Sequence, residues 1–257
     1  MMMMAAGRRG GGFRRRFEEK EAFNIDAWQP KTELGRRVKA KEIVSIDEIF
    51  ELGKPMLEHE IADALLPGLK DDVLEINMTA RMTDCGRKFS YRAIALVGDG
   101  NGHVGIGAGK AAEAKPAVET AIKYAKRSIV KIPRGCGSWE CGCGTRHSVP
   151  ITARGKNGSV IVTVKPAPRG LGIAASEIVK KVLRMAGVKD AWTFSRGRTS
   201  SIYNTAMATV AALDSLNGMK FKGDWESRLA ETERQTAVPE APAPEAPAAP
   251  EAAAPAT

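Results

Sequence analysis

The spacing of apolar residues changes several times along the chain, and each change predicts a different kind of element. Between residues 45 and 65, apolar side chains recur every three or four positions, which is typical of short amphipathic helices. Ser45 and Glu48 have the spacing of a capping box at the start of the first helix. A second short helix follows Pro55 and is expected to bury Leu57 on its inner face.

From residue 74 onward the apolar period becomes two, which predicts β-strands with one buried face. Two such strands flank a turn at Gly86, and a third strand around Ile106 follows a glycine-rich loop. A helix then begins near Pro116, and its apolar face is expected to include Ile129. The order strand, strand, strand, helix predicts a small α+β domain.

The second half of the chain shows a similar mixture of patterns. Asn157-Gly158 separates two alternating apolar runs, which predicts a hairpin with its turn at residues 155–158. A helix with Gly187 as its left-handed C-cap comes next, followed by a strand near Phe194. A last helix follows the segment Arg196–Ser200. These elements predict a second α+β domain.

The charge of the chain favours a polyanionic partner. Lysine and arginine number 39 against 30 aspartate and glutamate residues, so the formal net charge is +9. Arginines crowd into a glycine-rich arm at the N-terminus, whereas residues 237–257 are almost entirely Ala, Pro and Glu. This basic excess is typical of proteins that bind nucleic acid, and a merely solubilising surface is the alternative.

Membrane and secreted proteins are disfavoured by simple features of the sequence. No apolar run reaches the roughly 18 residues of a membrane span, and the N-terminus lacks the apolar segment of about 7–15 residues found in secretory signals. Four cysteines without such a signal indicate a reducing compartment. We therefore expect a cytoplasmic protein without a membrane partner.

Three segments combine glycine with basic residues: Gly86–Lys88, Pro168–Gly172 and Arg196–Arg198. The last two precede predicted helices, whose N-terminal N–H groups can bind phosphate, although each alone is also compatible with an ordinary capped helix. Residues 168–176 resemble the nucleotide loop of the small-metabolite kinase superfamily, so a phosphotransferase using Gly170-Leu171-Gly172 is the alternative function. We find no established catalytic motif, and the histidines have no obvious carboxylate partner nearby. Phosphate binding without catalytic residues is therefore expected.

Several runs resemble the signature of small-subunit ribosomal protein five. The first domain contains GRKFSYRA at Gly86–Ala93 and VGDGNGHVGIG at Val97–Gly107. The second domain contains further motifs in the order of that family: Lys165–Ile173, Met185–Val188 and Arg196–Thr199. Trp28–Gly68 is similar to the archaeal and eukaryotic form of the family. Over about residues 25–220, the chain is identified as an archaeal-type member of this family.

The resemblance implies an α+β protein with a defined domain order. An N-terminal helical extension precedes a βββα domain similar to double-stranded-RNA-binding domains, and an α+β sandwich with a left-handed βαβ crossover follows. The expected segments are an Arg/Gly-rich arm (1–24), the helical extension (25–70), the RNA-binding-like domain (71–134), a Gly/Cys-rich linker (135–147), the C-terminal domain (148–220), a helical end (221–236) and a disordered Ala/Pro/Glu tail (237–257).

The resemblance also implies a structural, non-enzymatic role in the small ribosomal subunit. Members of the family bind rRNA beside small-subunit proteins four, three, two and eight, near the path of messenger RNA into the subunit, and support decoding accuracy. The loop corresponding to Thr83–Lys88 reaches rRNA of the head, and the hairpin tip at Lys156, Asn157, Gly158 and Ser159 is expected to contact protein four. The basic residues expected to bind rRNA are Arg87, Lys88, Arg92, Lys110, Arg134, Arg146, Arg169, Arg196 and Arg198. The charge of the N-terminal arm adds Arg8, Arg9, Arg14, Arg15 and Arg16, since the arm and the Ala/Pro/Glu tail depart from the family pattern and are not implied by it.

A metal site is the remaining candidate. Cys136, Cys141, Cys143 and His147 could hold zinc, because three thiols and an imidazole suit a tetrahedral ion. Their spacing differs from the paired two-residue spacing of most zinc knuckles and ribbons. Since family members can have this loop without the cysteines, free thiols are favoured, zinc is the alternative, and no cofactor is expected.

Overall fold

The computed structural model describes residue 25, residues 28–141 and residues 143–219. The chain divides into two compact units, residues 1–67 and residues 68–257. The predicted Arg/Gly arm, helical end and Ala/Pro/Glu tail lie outside the described residues. Within the described part of the chain, every helix is too short or too polar to cross a membrane.

The described part of the first unit contains three short helices: α1 (Glu33–Lys39), α2 (Ile46–Leu52) and α3 (Glu60–Leu65). The capping box predicted at α2 is confirmed, because the Glu48 carboxylate accepts hydrogen bonds from the backbone N–H of Ser45 at 3.3 Å and from its hydroxyl at 2.8 Å. The prediction for Leu57 is wrong. Its side chain is 64% exposed, because α3 begins only at Glu60 and buries Ile61 instead.

The second unit begins with a four-stranded antiparallel sheet. Its order is β1 (Lys70–Thr83), β2 (Gly86–Gly98), β3 (His103–Ala111) and β4 (Ile129–Lys131), and helix α4 (Ala114–Arg127) packs on one face. The predicted order of three strands and a helix is confirmed. Ile129 was expected on the helix, but it begins β4 and pairs with Gly105, because α4 ends at Arg127.

Alternate glycines in β3 allow α4 to approach the sheet closely. A Cβ atom at Gly105 would lie 2.2 Å from the carbonyl oxygen of Ala125, and one at Gly107 would lie 2.3 Å from that of Ala121. Any larger residue would push the helix away from the strand. This part of the glycine-rich run therefore serves helix–sheet packing.

The second sheet has the order β5 (Ala153–Asn157), β6 (Val160–Pro166), β8 (Ala191–Arg196) and β7 (Ile173–Ala174). Strand β7 is parallel to β8, and α5 (Glu177–Met185) connects them, whereas the other pairs are antiparallel. The left-handedness of this crossover stays a prediction. Helix α6 (Ile202–Asp214) follows β8 and packs on β5 and β6.

The turn of the β5–β6 hairpin begins three residues later than the apolar pattern predicts. Asn157 is the last residue of β5, so the loop consists of Gly158 and Ser159, with Gly158 at φ +58°. Gly155 lies inside the strand, where a Cβ would be 2.2 Å from the carbonyl oxygen of Ala208 in α6. This glycine serves helix packing and not the turn.

One buried cluster contains side chains from both sheets together with α5 and α6. Its members include Ile94, Leu96, Val104, Ile106, Val160, Val162, Val164, Val179, Val182, Leu183, Ala206, Val210 and Leu213. Each fully buried side chain of the size of valine or leucine contributes about 1.5–3 kcal/mol to stability. The mixed α+β fold with two sheets is thus confirmed, and this shared core holds both sheets in place.

Candidate nucleic-acid interface

Most of the predicted rRNA-binding residues that the structure describes have exposed side chains. The exposed ones are Arg87, Lys88, Arg92, Lys110, Arg169, Arg196 and Arg198. Arg134 and Arg146 are half-buried. The arginines of the arm, Arg8, Arg9, Arg14, Arg15 and Arg16, lie outside the described residues.

The outer part of the β1–β2 hairpin, residues 77–89, is exposed throughout and is called the outer ribbon below. Cross-strand partners share a face of the ribbon, so Arg87 lies with Met82 on one face and Lys88 lies with Arg81 on the other. The two cations that the sequence assigns to one loop contact therefore point to opposite faces. The ribbon presents positive charge in two directions.

Two predicted arginines from distant parts of the sequence line one cavity of about 420 Å³, called the Arg92 cavity below. Arg198 reaches it from the segment before α6, and the guanidinium of Arg92 lies 5.1 Å from the ring centroid of Tyr203, a cation–π contact. Lys110 is the direct cross-strand partner of Arg92. The fold therefore gathers Arg92, Lys110 and Arg198 on one surface, and the lining of the cavity also includes the acidic Glu75.

A second cavity, of about 770 Å³, is called the Arg134 cavity. The Arg134 guanidinium donates hydrogen bonds to the carbonyl oxygens of Gly100, at 3.3 Å, and Asn101, at 2.9 Å, which hold it at the rim. Other basic residues of the lining are Lys180, Arg184 and Lys189. None of the described residues that line this cavity is acidic.

Lys180, Arg184 and Lys189 are absent from the candidates chosen by sequence. The sequence does contain a signal for Lys180 and Arg184, which lie one turn apart on α5. Both lie outside the buried stripe of the helix, which consists of Val179, Val182 and Leu183. Like charges at this spacing repel each other unless an anion lies near them. Lys189 carries no comparable signal, since only the fold places it beside the other two.

The glycine–arginine segment Pro168–Gly172 does not form a helix N-terminus. Strand β7 lies between Gly172 and α5, whose N-cap is Ser176. The N–H of Gly172 donates to Oδ1 of Asp190 at 2.7 Å, so this donor is already engaged within the protein. The prediction that this segment opens a helix is wrong, and the resemblance to a nucleotide loop loses its structural basis.

The segment Arg196–Ser200 precedes α6 as predicted. Gly197 has φ +95°, and a Cβ there would lie 2.0 Å from the carbonyl oxygen of Ser159. The arginine segment therefore packs against the tip of the β5–β6 hairpin. At this tip Lys156, Gly158 and Ser159 are exposed and Asn157 is half-buried, so the predicted protein contact and the predicted rRNA contact adjoin each other.

The histidines have carboxylate partners that the sequence reading missed. His103 Nδ1 lies 2.7 Å from Oδ2 of Asp99, only four residues away. Burial acts to raise the pKa of Asp99, but hydrogen bonds from the His103 side chain and from the backbone N–H groups of Asn101 and His103 outweigh it and lower this pKa. His147 pairs with Asp190 at 2.8 Å, a separation of 43 residues that no local pattern reveals.

The candidate metal ligands also come together. Each of Cys136, Cys141, Cys143 and His147 offers a ligand atom, and these atoms all lie within 4.8 Å of one another. Burial raises the pKa of the Cys136 thiol to about 12. Burial acts in the same direction on Cys143, but hydrogen bonds from Thr145 and the neighbouring thiols outweigh it and lower its pKa to about 6.

Comparison with known proteins connects these features to a family. Residues 69–133 match the family described as ribosomal protein S5, N-terminal domain, and residues 155–228 match its C-terminal domain. Small ribosomal subunit protein uS5 of Methanococcus maripaludis is 50% identical over 215 residues, which cover 84% of this chain and 96% of the relative.

Similar coverage is found with relatives from other organisms. The uS5 protein of Aeropyrum pernix is 50% identical over 82% of this chain and 98% of its own length. That of Picrophilus torridus is 52% identical over 73% of this chain and 85% of its own length. The resemblance inferred from the motifs is confirmed, and the chain belongs to the ribosomal protein S5 (uS5) family, in its archaeal type.

Proposed function

We propose that this chain is a structural protein of the small ribosomal subunit and binds rRNA through the outer ribbon and the two arginine-lined cavities. Membership of the uS5 family supports the ribosomal role. The observation that carries the rRNA-binding part is the Arg134 cavity, where basic side chains from three separate segments converge without an acidic neighbour in the described lining. Such convergence suits a phosphate backbone.

The arrangement of the cations supports an anionic partner over simple solubility. Arg92 stands directly across from Lys110 in the sheet, and Lys180 stands one helical turn from Arg184. Both arrangements are unfavourable in the free protein, because like charges at these spacings repel each other. Phosphate oxygens between them would turn this repulsion into attraction, and arginine can donate to two oxygens at once.

The proposal extends to the surroundings implied by the resemblance. The neighbours are small-subunit proteins four, three, two and eight, messenger RNA passes nearby, and the hairpin tip at Lys156–Ser159 takes part in the contact that supports decoding accuracy. The exposure of Lys156, Gly158 and Ser159 supports an available tip. The compartment follows from the role, since a ribosomal protein of this kind works in the cytoplasm.

A salt titration of rRNA binding by the full chain tests this proposal. The logarithm of the affinity should fall linearly with the logarithm of the salt concentration, by roughly 0.7–0.9 for each neutralised phosphate. We expect Arg198→Ala and Arg184→Ala each to lower this slope. Lys123→Ala, which removes an exposed charge on α4, is the matched control and should leave the slope unchanged. Equal slopes in all variants would contradict the proposed surface.

The alternative, a phosphotransferase, is tested on the same protein by titration with ATP. The engaged N–H of Gly172 gives no support to a nucleotide loop. We expect no binding at submillimolar ATP. Tight and saturable binding that is lost in Gly170→Val or Gly172→Val would favour the enzyme over the structural role.

A further inference from the structure

The Cys/His cluster, defined as Cys136, Cys141, Cys143 and His147, has the dimensions of a metal site. A tetrahedral ion with Zn–S distances of about 2.3 Å and a Zn–N distance of about 2.0 Å holds its ligand atoms roughly 3.4–3.8 Å apart. The Sγ atoms of Cys141 and Cys143 are 3.1 Å apart, and Cys141 Sγ is 3.8 Å from Nε2 of His147. The whole set lies within 4.8 Å, so small side-chain rotations would place all four atoms around one ion.

The orientation of His147 is set by a buried carboxylate. His147 and Asp190 are each 6% exposed, and Nδ1 of His147 donates to Oδ2 of Asp190 at 2.8 Å. This bond keeps the proton on Nδ1 and leaves the lone pair of Nε2 directed at the thiols. A histidine that binds a metal commonly has such a carboxylate partner, which fixes the tautomer and the ring orientation.

Asp190 is itself held in place by the backbone. Its Oδ1 accepts a hydrogen bond from the N–H of Gly172 at 2.7 Å, while its own N–H donates to the carbonyl oxygen of His147 at 3.1 Å. The N–H of Lys189 donates to the same carbonyl at 2.9 Å. His147 is thus anchored through both its side chain and its backbone, which provides a rigid fourth ligand.

The fold also explains the unusual spacing of the ligands. Gly135 and Ser148 form an isolated β-bridge with two N–H···O bonds of 2.9 Å, and this bridge brings the neighbouring Cys136 and His147 to the same place. A Cβ at Gly137 would lie 1.8 Å from the carbonyl oxygen of Pro150, so glycine is needed for this close return of the chain. The β-bridge, and not a turn between paired cysteines, therefore brings the first and last ligands together.

We infer that the Cys/His cluster binds one zinc ion in a closed Cys₃His structural site. Three soft thiolates and one imidazole suit zinc, and four protein ligands leave no open position for catalysis. Each thiol that coordinates loses its proton to solvent on binding, and no change of oxidation state is involved. The ion would crosslink the segment between β4 and β5, and through His147 and Asp190 it would tie that segment to the start of β8.

The ligand spacing and the occurrence of this loop without cysteines in the family favour free thiols, whereas the folded geometry favours zinc. In most zinc knuckles and ribbons, the metal loop is built on turns between paired cysteines. Here the β-bridge brings Cys136 and His147 together, and the buried carboxylate of Asp190 orients His147, so the site forms without paired cysteines. Cys85 is excluded from the cluster, because it lies exposed at the turn of the outer ribbon.

Metal content and thiol protection of the purified full chain provide the first test. We expect one equivalent of zinc per chain by elemental analysis. In the zinc-loaded protein an alkylating reagent should modify Cys85 rapidly and spare the three cluster cysteines, and removal of zinc with a chelator should make all four cysteines reactive. Absence of zinc with four reactive thiols would overturn the site. So would a native mass showing a Cys141–Cys143 disulfide with no uptake of zinc.

Variants provide the second test. Cys141→Ser and Cys143→Ser should each abolish stoichiometric zinc, whereas Cys85→Ser should keep the full equivalent as the matched control. Cobalt should replace zinc and show the visible absorption bands of a tetrahedral thiolate complex in the wild-type chain. This spectrum keeps the test decisive even where a serine variant fails to fold.

Asp190→Asn tests the role of the carboxylate separately. The amide keeps the size of the side chain and its acceptor for Gly172, but it no longer fixes the proton on Nδ1 of His147. We expect zinc affinity, measured by competition with a chromophoric chelator, to fall by about 10- to 100-fold. Unchanged affinity would show that the Asp190 carboxylate does not position His147 for the metal, contrary to the inference.

Discussion

The β1–β2 and β5–β6 hairpins are built on the same plan, two antiparallel strands joined by a two-residue turn, but they differ in what covers them. From residue 77 to residue 89 the first hairpin is exposed on both faces. The second is short, and α6 packs on both of its strands so closely that β5 needs a glycine at Gly155. The β1–β2 hairpin is therefore largely exposed, whereas the β5–β6 hairpin is part of the core.

The two hairpins separate binding from stability. Side chains on the outer ribbon contribute little to the stability of the folded state. Arg87 and Lys88 can therefore serve a binding partner without a role in stability. The β5–β6 hairpin presents only its tip, and the arginine segment Arg196–Arg198 packs directly against that tip. Substitutions in the outer ribbon should consequently change rRNA affinity, whereas substitutions in the covered part of the β5–β6 hairpin should change the free energy of unfolding.

The largest expected effect comes from breaking the covered hairpin. Gly155→Val would place its Cβ about 2.2 Å from backbone atoms of Ala208 and Ala212, and α6 cannot move away without opening the core. We expect the free energy of unfolding to fall by about 3 kcal/mol, as measured by urea denaturation. The control Ala80→Val adds two methyl groups on the outer ribbon, at a residue that already has a Cβ, and should change the free energy of unfolding by less than about 0.5 kcal/mol. Similar losses in both variants would contradict the contrast.

A second, smaller effect should appear only in binding. The double variant Arg87→Ala, Lys88→Ala should weaken rRNA affinity about tenfold, equivalent to about 1.4 kcal/mol, because each cation neutralises phosphate. Its free energy of unfolding should match that of the parent chain, since residues 86–89 are exposed. Filter binding over a range of salt concentrations measures the affinity, and Lys156→Ala serves as the control with a cation removed from the other hairpin.

The tip of the covered hairpin should affect decoding more than assembly. Lys156→Glu, or Gly158→Leu at a position with φ +58°, should weaken the proposed contact with a neighbouring protein. An exposed ionic contact contributes about 1 kcal/mol or less, so a two-state equilibrium of the subunit would shift less than tenfold. We expect a few-fold rise in misreading in a reporter strain. Normal error rates in normally assembled subunits would contradict a role of the hairpin tip in decoding.

The smallest effect concerns acid stability at the base of the β1–β2 hairpin. Asp99 follows β2, and hydrogen bonds from His103 and Asn101 lower its pKa despite burial. A lowered carboxyl pKa stabilises the folded chain above the ordinary value of about 3.9, and this contribution disappears as pH falls through the folded-state pKa. Asp99→Asn should therefore show a shallower loss of stability in acid denaturation. Thr79→Ala, on the outer ribbon, should keep the slope of the parent chain.

Local signals predicted the elements that depend on neighbouring residues. The capping box of Ser45 and Glu48 and the left-handed C-cap at Gly187, with φ +77°, need only a few residues to form, and both are confirmed. Strands β1 to β3 are long enough for their alternation to be recognised. By contrast, β4 and β7 have three and two residues, and only their pairing with β3 and β8 makes them strands.

Glycines show most clearly which features depend on the fold and not on the local sequence pattern. Gly155 and Gly158 look alike in sequence, yet one provides space for α6 and the other forms the turn. Gly172 resembles a phosphate-binding glycine, yet its N–H is bonded to Asp190. The absence of a Cβ serves either a backbone angle or a close neighbour, and the sequence does not distinguish them unless the neighbour is known.

Composition and motifs of consecutive residues are sufficient to predict the family, the α+β class, the basic character and most of the candidate cations. Which of these cations lie close together depends on the fold. It sends Arg87 and Lys88 to opposite faces, brings Arg198 to Arg92, and adds Lys180, Arg184 and Lys189 to Arg134. It also pairs His147 with Asp190 across 43 residues. The physical reason is the same in each case, since a charge or a ligand acts over a few ångströms of space and the fold determines which distant residues share that space.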